Sequence, residues 1–96
     1  MKEYCVYIMA SKKDGVIYIG VTGNLKKRVY QHRNGLVQGF TQRYQVKRLV
    51  YFELGKDIDA CLKREKQMKA WRREWKVELF ERKNPEWNDL WHLISC

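Results

Sequence analysis

The strongest constraint on the fold of this chain is a pair of short apolar runs separated by a charged turn. Residues 4–10 and 16–21 are rich in β-branched and aromatic side chains, and the polar segment between them ends in Asp14-Gly15. This pattern predicts a β-hairpin. Both runs are apolar at successive positions, so we expect each strand to be covered on both faces of a sheet.

Each strand of the predicted hairpin carries a tyrosine between branched aliphatic residues, Tyr7 in the first strand and Tyr18 in the second. If the loop has an even number of residues, antiparallel pairing places both rings on the same face of the sheet. Two phenol hydroxyls would then lie close together. The alternative is that both tyrosines are present only because strands favour aromatic residues.

A helix and a third strand are predicted to follow the hairpin. The helix extends from Asn24 to Asn34 and is ended by Gly35. Its inward stripe comprises Leu25, Val29 and His32. Residues 35–46 are expected to form a polar loop, and residues 49–52 a third strand.

From Asp57 onwards the pattern is helical. One apolar stripe comprises Ile58, Cys61, Leu62 and Met68. A second helical piece, with Trp75, Leu79 and Phe80, is predicted after a bend near Trp71. Asn84-Pro85 is typical of a helix start, and a short last helix is expected to present Trp87, Leu90, Trp91 and Ile94 on one face. The predicted order is ββαβαα, with this last helix added, in a single α/β (α+β) domain over residues 1–96.

The charge of the chain points to a polyanionic partner. Its 20 Lys and Arg against 11 Asp and Glu give a net charge of +9, and all the basic residues precede Asn84. Nucleic acid is the commonest polyanion for such a field. An unspecialised basic surface is one alternative. An anionic membrane surface is less favoured, because no basic amphipathic helix stands apart from the rest.

The sequence also predicts a cytoplasmic setting. The first apolar run is too short for a signal peptide, and no run reaches the roughly 18 residues of a membrane span. The three cysteines, Cys5, Cys61 and Cys96, are odd in number and lack metal-ligand spacing, so no zinc site is expected. Cys5 and Cys61 lie in apolar runs and are predicted to be small core residues.

Glu65 breaks the apolar stripe of the long helix, since it lies three residues after Leu62 and three before Met68. A carboxylate facing a core is costly unless it is paired or binds a metal. Either an internal salt bridge to an arginine or a divalent-cation site accounts for it. Arg28 and His32 are four residues apart and share a helix face. Together these side chains could neutralise a phosphodiester and move a proton.

At these positions the sequence resembles the GIY-YIG nuclease superfamily, and specifically its small stand-alone bacterial members. The second motif is intact as Tyr18-Ile19-Gly20, and the first is degenerate as Cys5-Val6-Tyr7. The further matches are Arg28, His32, Phe40-Thr41-Gln42-Arg43-Tyr44, Arg64-Glu65-Lys66 and Asn84-Pro85-Glu86-Trp87. The resemblance covers about residues 3–91 of the chain.

This resemblance implies a three-stranded antiparallel sheet flanked by helices and metal-dependent hydrolysis of DNA. Glu65 would hold Mg²⁺ or Mn²⁺, and no small-molecule cofactor is implied. Tyr7 would be the general base, together with Tyr18 or His32, and Arg28 would bind the scissile phosphate. Asn84 would help to order the site, or would serve only as a helix cap.

No part of this sequence is predicted to form a separate DNA-binding domain, so the nuclease domain itself is expected to bind the substrate. The candidate contacts are Lys26, Lys27, Phe40, Arg43, Tyr44, Lys69, Arg72 and Arg73. Such binding is largely independent of base sequence and sensitive to salt. Two alternatives are a nucleic-acid-binding module without cleavage and a subunit that a protein partner targets through exposed tryptophans.

Overall fold

A three-stranded antiparallel sheet with strand order β2-β1-β3 forms the centre of the structure, which is a computed structural model describing residues 3–95. The strands are β1 (Cys5–Ala10), β2 (Ile17–Thr22) and β3 (Arg48–Leu54). The helices are α1 (Leu25–Arg33), α2 (Phe40–Arg43), α3 (Ile58–Ala70), α4 (Arg73–Glu81) and α5 (Trp91–Ile94). The predicted fold class, a three-stranded antiparallel sheet flanked by helices, is confirmed.

The two faces of the sheet carry separate hydrophobic cores, as the continuous apolar runs predicted. One core packs Val6, Ile8 and Ala10 of β1 against α3 and α4. The other packs Tyr7 and Met9 of β1 against α1 and α5. Successive β1 residues alternate between these cores because side chains of a strand point to opposite faces. Cys5 and Cys61 are buried free thiols, as predicted, whereas Cys96 lies outside the described residues.

Helix α1 begins and ends close to where the sequence predicted. The side chain of Asn24 accepts a hydrogen bond from the Lys27 amide at the N-cap, with a distance of 3.1 Å. Gly35 has a φ of +66°, the left-handed conformation that glycine adopts readily after a helix. Val29 and His32 are buried against the sheet.

Two helical predictions need correction. The loop at residues 35–46 contains the four-residue helix α2, which is too short to produce a periodic pattern. In α3 the buried positions are Cys61 and Met68, whereas Ile58 and Leu62 are 37% and 45% exposed. The apolar stripe therefore lies further round the helix than predicted. The break after α3 occurs at Trp71 and Arg72, close to the predicted bend.

The predicted last helix is mostly wrong. Residues 84–90 are irregular, with turns at residues 85–86 and 90, and only Trp91–Ile94 are helical. Trp87, at a φ of +58°, enters the core on the α3 side of the sheet, whereas Leu90, Trp91 and Ile94 pack on the other side. These four residues therefore do not share one face. The strong burial of the Trp87 ring, which is 0% exposed, outweighs the local preference for a helix.

The segment 84–91 covers the outer edge of β3. Its Leu90 amide donates to the Leu49 carbonyl at 2.8 Å, and the Leu49 amide donates to Asp89 Oδ1 at 3.2 Å. Asn84 Nδ2 donates to the carbonyl of Val50, which lies at a bulge in the β1–β3 pairing. Strand edges carry unpaired backbone groups that must be satisfied. The segment thereby covers this edge at Leu49 and Val50, while β2 forms the other edge of the sheet.

No helix within residues 3–95 is both long enough and apolar enough to cross a membrane.

Candidate active site

Three aromatic side chains meet on the α1 face of the sheet, at the place where β1 and β2 pair. Tyr7 and His32 are hydrogen-bonded, with 3.1 Å between the phenol oxygen and Nε2. The Tyr18 ring lies 6.3 Å from the Tyr7 ring and 5.6 Å from the His32 ring, measured between centroids. The prediction that the two tyrosines share one face is therefore confirmed.

The strand register explains this convergence. Tyr7 pairs with Gly20, and Met9 pairs with Tyr18, so both tyrosines point to the same side of the sheet. A β-carbon at Gly20 would lie 2.5 Å from the Tyr7 hydroxyl oxygen, which is closer than any real contact. The glycine after the second tyrosine is therefore needed because the Tyr7 ring lies across it.

Arg28 approaches the same cluster from α1, one turn before His32. The pKa of its guanidinium is raised, chiefly by the neighbouring Tyr7 hydroxyl. Arg28 Nη1 also donates to Gln31 Oε1 at 3.3 Å. Gln31 thus holds the arginine beside the tyrosines. Gln31 was not singled out from the sequence, although its i, i+3 spacing from Arg28 is a usable signal.

Burial fixes the protonation states of the cluster. It raises the pKa of Tyr7 to about 12, although the neighbouring Arg28 acts in the opposite direction. Burial, and then the positive charge of Arg28, lower the pKa of His32 to about 4. At neutral pH the site therefore holds a protonated phenol and a neutral imidazole joined by a hydrogen bond.

Two buried polar atoms near this cluster have no hydrogen-bond partner within residues 3–95. They are His32 Nδ1 and Thr41 Oγ1. Thr41 follows Phe40, and the Phe40 ring stacks on Tyr18 with 6.3 Å between centroids. Buried polar atoms normally have a partner, so these two are exceptions among the described residues. Thr41 was not singled out from the sequence, because an isolated threonine in a polar segment gives no signal.

The aromatic cluster continues outwards to the surface through α2. The Tyr44 ring lies 4.9 Å from the Phe40 ring, and the Arg43 guanidinium lies 5.6 Å from the centre of Tyr44. Phe40 and Tyr44 are 47% and 44% exposed. The loop residues predicted to contact DNA therefore adjoin the tyrosine cluster directly.

Glu65 is partly buried on α3, with a side chain that is 19% exposed. Its ion pair is with Lys69, one turn further along the helix, at 3.5 Å, and not with an arginine as the structural alternative required. Lys69 in turn lines a cavity of about 230 Å³ together with Tyr18 and Phe40.

This cavity links the two faces of the sheet. It is lined by Tyr18, from the tyrosine face, and by Ile17 and Ile19, which pack on the α3 side. Because β2 is an edge strand, the cavity extends round that edge. Tyr18 of the tyrosine cluster and Lys69, the ion-pair partner of Glu65 on α3, therefore line the same cavity.

The structure places Asn84 in a supporting position beside β3. It is 6% exposed, and its side chain bonds the backbone of Val50 and Asn88 at 2.9–3.2 Å. The helix-cap role is wrong, because α5 begins only at Trp91. The hydrogen bonds that the structure gives Asn84 hold the turn against the bulge of β3.

The predicted basic contacts lie on several elements. Lys26 and Lys27 are exposed at the start of α1. Arg72 stacks on Trp75 at 5.2 Å, and Arg73 donates to the carbonyl of Gly15 at 2.5 Å. Arg73 therefore also connects α4 to the hairpin loop, a contact between distant residues that the sequence did not reveal.

Comparison with known proteins agrees with this geometry. The family model described as the GIY-YIG catalytic domain matches residues 3–78. The chain is 33% identical over 79 residues to UPF0213 protein SSP2268 of Staphylococcus saprophyticus, covering 82% of this chain and 95% of that protein. It is 35% identical over 79 residues to UPF0213 protein CPE1444 of Clostridium perfringens, covering 82% and 84% respectively.

A solved structure is similar as well. The solution NMR structure of UPF0213 protein BH0048 from Bacillus halodurans has a TM-score of 0.55 and 27% sequence identity, and the match covers 93% of each chain. The family match extends over both tyrosine motifs, α1 and α3. The chain therefore belongs to the GIY-YIG family, alongside the small UPF0213 proteins.

Proposed function

We propose that this protein is a divalent-metal-dependent endonuclease that hydrolyses DNA phosphodiester bonds, either nonspecifically or with selectivity for DNA structure. Its family supports nuclease activity on nucleic acid. The observation that carries the proposal is the convergence of Tyr7, Tyr18, His32 and Arg28 on one face of the sheet. We propose that residues 1–96 form a single nuclease domain and that the protein acts in the cytoplasm.

Each side chain of the cluster has a proposed role set by its surroundings. Arg28 binds the scissile phosphate, because a guanidinium offers several donors to phosphate oxygens. Tyr7 accepts the proton of the attacking water in the same step in which its own proton passes to Nε2 of His32, its hydrogen-bond partner at 3.1 Å. Tyr18, between His32 and Phe40, positions the water and the substrate. Asn84 supports the fold around the site.

Glu65 is proposed to hold the metal ion. Within residues 3–95 no group of three or more His, Cys, Asp or Glu side chains could hold a metal, so the fit rests on this one carboxylate. Mg²⁺ and Mn²⁺ suit such a site, because Mg²⁺ often uses only one or two carboxylates together with waters and substrate phosphates. A cation held there would supply positive charge that offsets the charge of the phosphate and lowers the pKa of a bound water.

One alternative has a specific observation behind it. In the resting site Tyr7 is protonated with a pKa of about 12, and His32, with a pKa of about 4, is a weak base, which favours binding over proton abstraction. A nucleic-acid-binding module without cleavage would keep these residues for their packing and hydrogen bonds alone. The experiment on Glu65 separates this module from the nuclease.

The test is the substitution Glu65→Gln, assayed on a panel of branched, flapped and single-stranded DNAs with Mg²⁺ or Mn²⁺. We expect cleavage to fall by about 100-fold or more, because the amide has the same shape but no charge to offer the ion. Asp59→Asn is the matched control, since it removes an exposed carboxylate from the first turn of the same helix.

Both variants are expected to keep the thermal midpoint of the parent protein, because neither removes buried apolar surface. Normal cleavage by the Glu65 variant would refute the metal site. DNA binding by the parent protein, without turnover on any member of the panel, would identify the binding module instead.

A further inference from the structure

A basic cavity, separate from the cavity beside Tyr18, lies at the hairpin-loop end of the sheet. Its volume is about 430 Å³, and it is lined by Ser11, Arg33, Asn34, Lys47, Arg48 and Asp89. Three of these residues are cations and one is an anion, so the lining carries a net charge of +2 at neutral pH. No residue of this cavity belongs to the tyrosine cluster or to the predicted DNA contacts.

The two guanidinium groups of the cavity are held in place by the fold. Arg33 forms an ion pair with Asp89 and lies 5.0 Å from the ring centre of Trp91. Arg48 Nη1 donates to the carbonyl of Trp87 at 2.9 Å. Each guanidinium has five N–H donors, so these contacts leave several donors for a ligand. A fixed guanidinium loses little conformational entropy when it binds an oxyanion.

Asp89 does not neutralise the cavity fully, because its carboxylate also accepts hydrogen bonds from backbone amides. Its Oδ1 accepts from the amides of Leu49 and Trp91, at 3.2 Å and 3.1 Å. Ser11 Oγ accepts from the Val16 amide at 2.9 Å, which leaves its own hydroxyl proton to donate. Lys47 adds a partly buried ammonium group. The lining thus combines charged and neutral donors, which suits a phosphate group.

We propose that this cavity binds a phosphate group of a nucleic-acid strand at a position separate from the scissile bond. The proposal rests on the proposed function, because it names a second contact for the same substrate. Arg33 follows His32 on α1, so the cavity has a fixed position relative to the tyrosine cluster. A strand bound at both places has its register fixed relative to the cutting site.

The test compares Lys47→Glu with Lys63→Glu in the full chain. Lys63 is exposed on α3 and lies outside the cavity, and its substitution by glutamate changes the charge of the protein by the same amount. Affinity for a short labelled oligonucleotide is measured in EDTA, where no cleavage interferes. We expect Lys47→Glu to weaken binding by about tenfold, and Lys63→Glu by less than about twofold. Lys47→Gln should give an intermediate loss, and it serves if the reversed charge prevents folding.

The form of the oligonucleotide distinguishes the sources of the phosphate. If Lys47→Glu weakens the binding only of oligonucleotides with a terminal phosphate, the cavity binds the end of a strand. If it weakens equally the binding of oligonucleotides with terminal hydroxyls, the cavity binds an internal phosphodiester. Equal weakening by the Lys47 and Lys63 reversals would overturn the proposal, because only a general charge effect would remain. Cleavage by the parent protein is scored separately, so either proposal can fail while the other stands.

Discussion

At the scale of single residues, the two tyrosines of the hairpin occupy different environments. Tyr7 is 1% exposed and bonded to His32, whereas Tyr18 is partly exposed and lies between His32 and Phe40. If Tyr7 exchanges the proton of the attacking water, its hydroxyl is needed for the reaction and not only for packing.

We therefore predict that Tyr7→Phe lowers the cleavage rate by about 10²–10⁴-fold, the usual effect of losing a general acid or base. The free energy of unfolding should change by only about 1 kcal/mol, since one hydrogen bond is lost and the ring remains. Tyr18→Phe, the matched control, should lower the rate less. Rates and thermal midpoints of both variants check this prediction, and a normal rate with a lowered midpoint for Tyr7→Phe would leave the tyrosine a purely structural role.

The depressed pKa of His32 predicts a pH-dependent stability. Burial lowers this pKa from 6.5 to about 4. As the pH falls below about 6.5, the unfolded chain binds a proton at this imidazole and the folded chain does not. The free energy of unfolding therefore decreases between about pH 6.5 and pH 4, by at most about 3 kcal/mol from this group, and the contribution levels off below that range.

Chemical denaturation at several pH values measures this effect. His32→Gln should remove this part of the pH dependence, whereas His92→Gln should retain it, because His92 is the other histidine and is exposed. Parallel pH profiles for the parent protein and the His32 variant would show that burial does not control this imidazole.

Much of the tyrosine cluster could be predicted from the sequence, because it depends on local rules. Strand parity placed Tyr7 and Tyr18 on one face, and the i, i+4 spacing placed Arg28 beside His32. Contacts between distant residues could not be predicted in this way. The bond from Arg73 to Gly15 joins residues 58 positions apart, and no local pattern reveals such a contact.

At the scale of secondary-structure elements, the turn at Asn84 links the C-terminal segment to the sheet. Asn84→Ala removes the partners of the Val50 carbonyl and of both backbone groups of Asn88. We predict a loss of about 2–3 kcal/mol in the free energy of unfolding, since buried polar groups are left unpaired. Asn88→Ala is the control, because its side chain is exposed while its backbone makes the bonds.

Urea denaturation gives the stabilities, and cleavage is compared at a temperature where both variants are folded. Cleavage that is retained by folded Asn84→Ala identifies a structural residue. Cleavage that is lost while stability is unchanged would instead support a role for Asn84 in ordering the site, as the family resemblance implied.

The elements that were predicted correctly have strong local signals, and those that were missed do not. The hairpin has two apolar runs joined by a polar turn. Helix α1 has an apolar stripe, an N-cap residue and a glycine after its last turn. Helix α2 has only four residues. The Asn84-Pro85 pair has the composition of a helix start but forms a turn, because Asn84 bonds the β3 bulge and Trp87 must reach the core. Tertiary contacts decide the structure where local preferences are weak.

At the scale of the whole molecule, the two edges of the sheet have different functions. At the edge of β3, the segment 84–91 bonds the backbone of Leu49 and Val50 and so attaches the C-terminal part of the fold to the sheet. The edge of β2 adjoins the cavity formed with Phe40 and Lys69, between the tyrosine cluster and the helix of Glu65. One edge thus supports the fold, and the other adjoins the cavity beside the proposed active site.

The net charge of +9 belongs to this scale, because it acts on a polyanion before any specific contact forms. We predict that reversing Lys26 and Lys27 together weakens DNA binding for every base sequence. Each phosphate contact that is lost should reduce the slope of log affinity against log salt by about 1, so the double reversal should reduce it by up to about 2. Binding titrations over a range of salt concentrations measure both quantities.

The matched control is the double reversal of Lys63 and Lys66, which changes the net charge equally on the exposed side of α3. Beyond a Debye length, about 8–10 Å at physiological salt, exposed charges contribute little to a contact, so the control should change affinity less and leave the salt slope nearly unchanged. Equal effects of the two pairs would show that net charge alone attracts DNA. An affinity independent of salt in the parent protein would exclude electrostatic binding altogether, and the excess of basic residues would then be a property of the surface without a role in substrate binding.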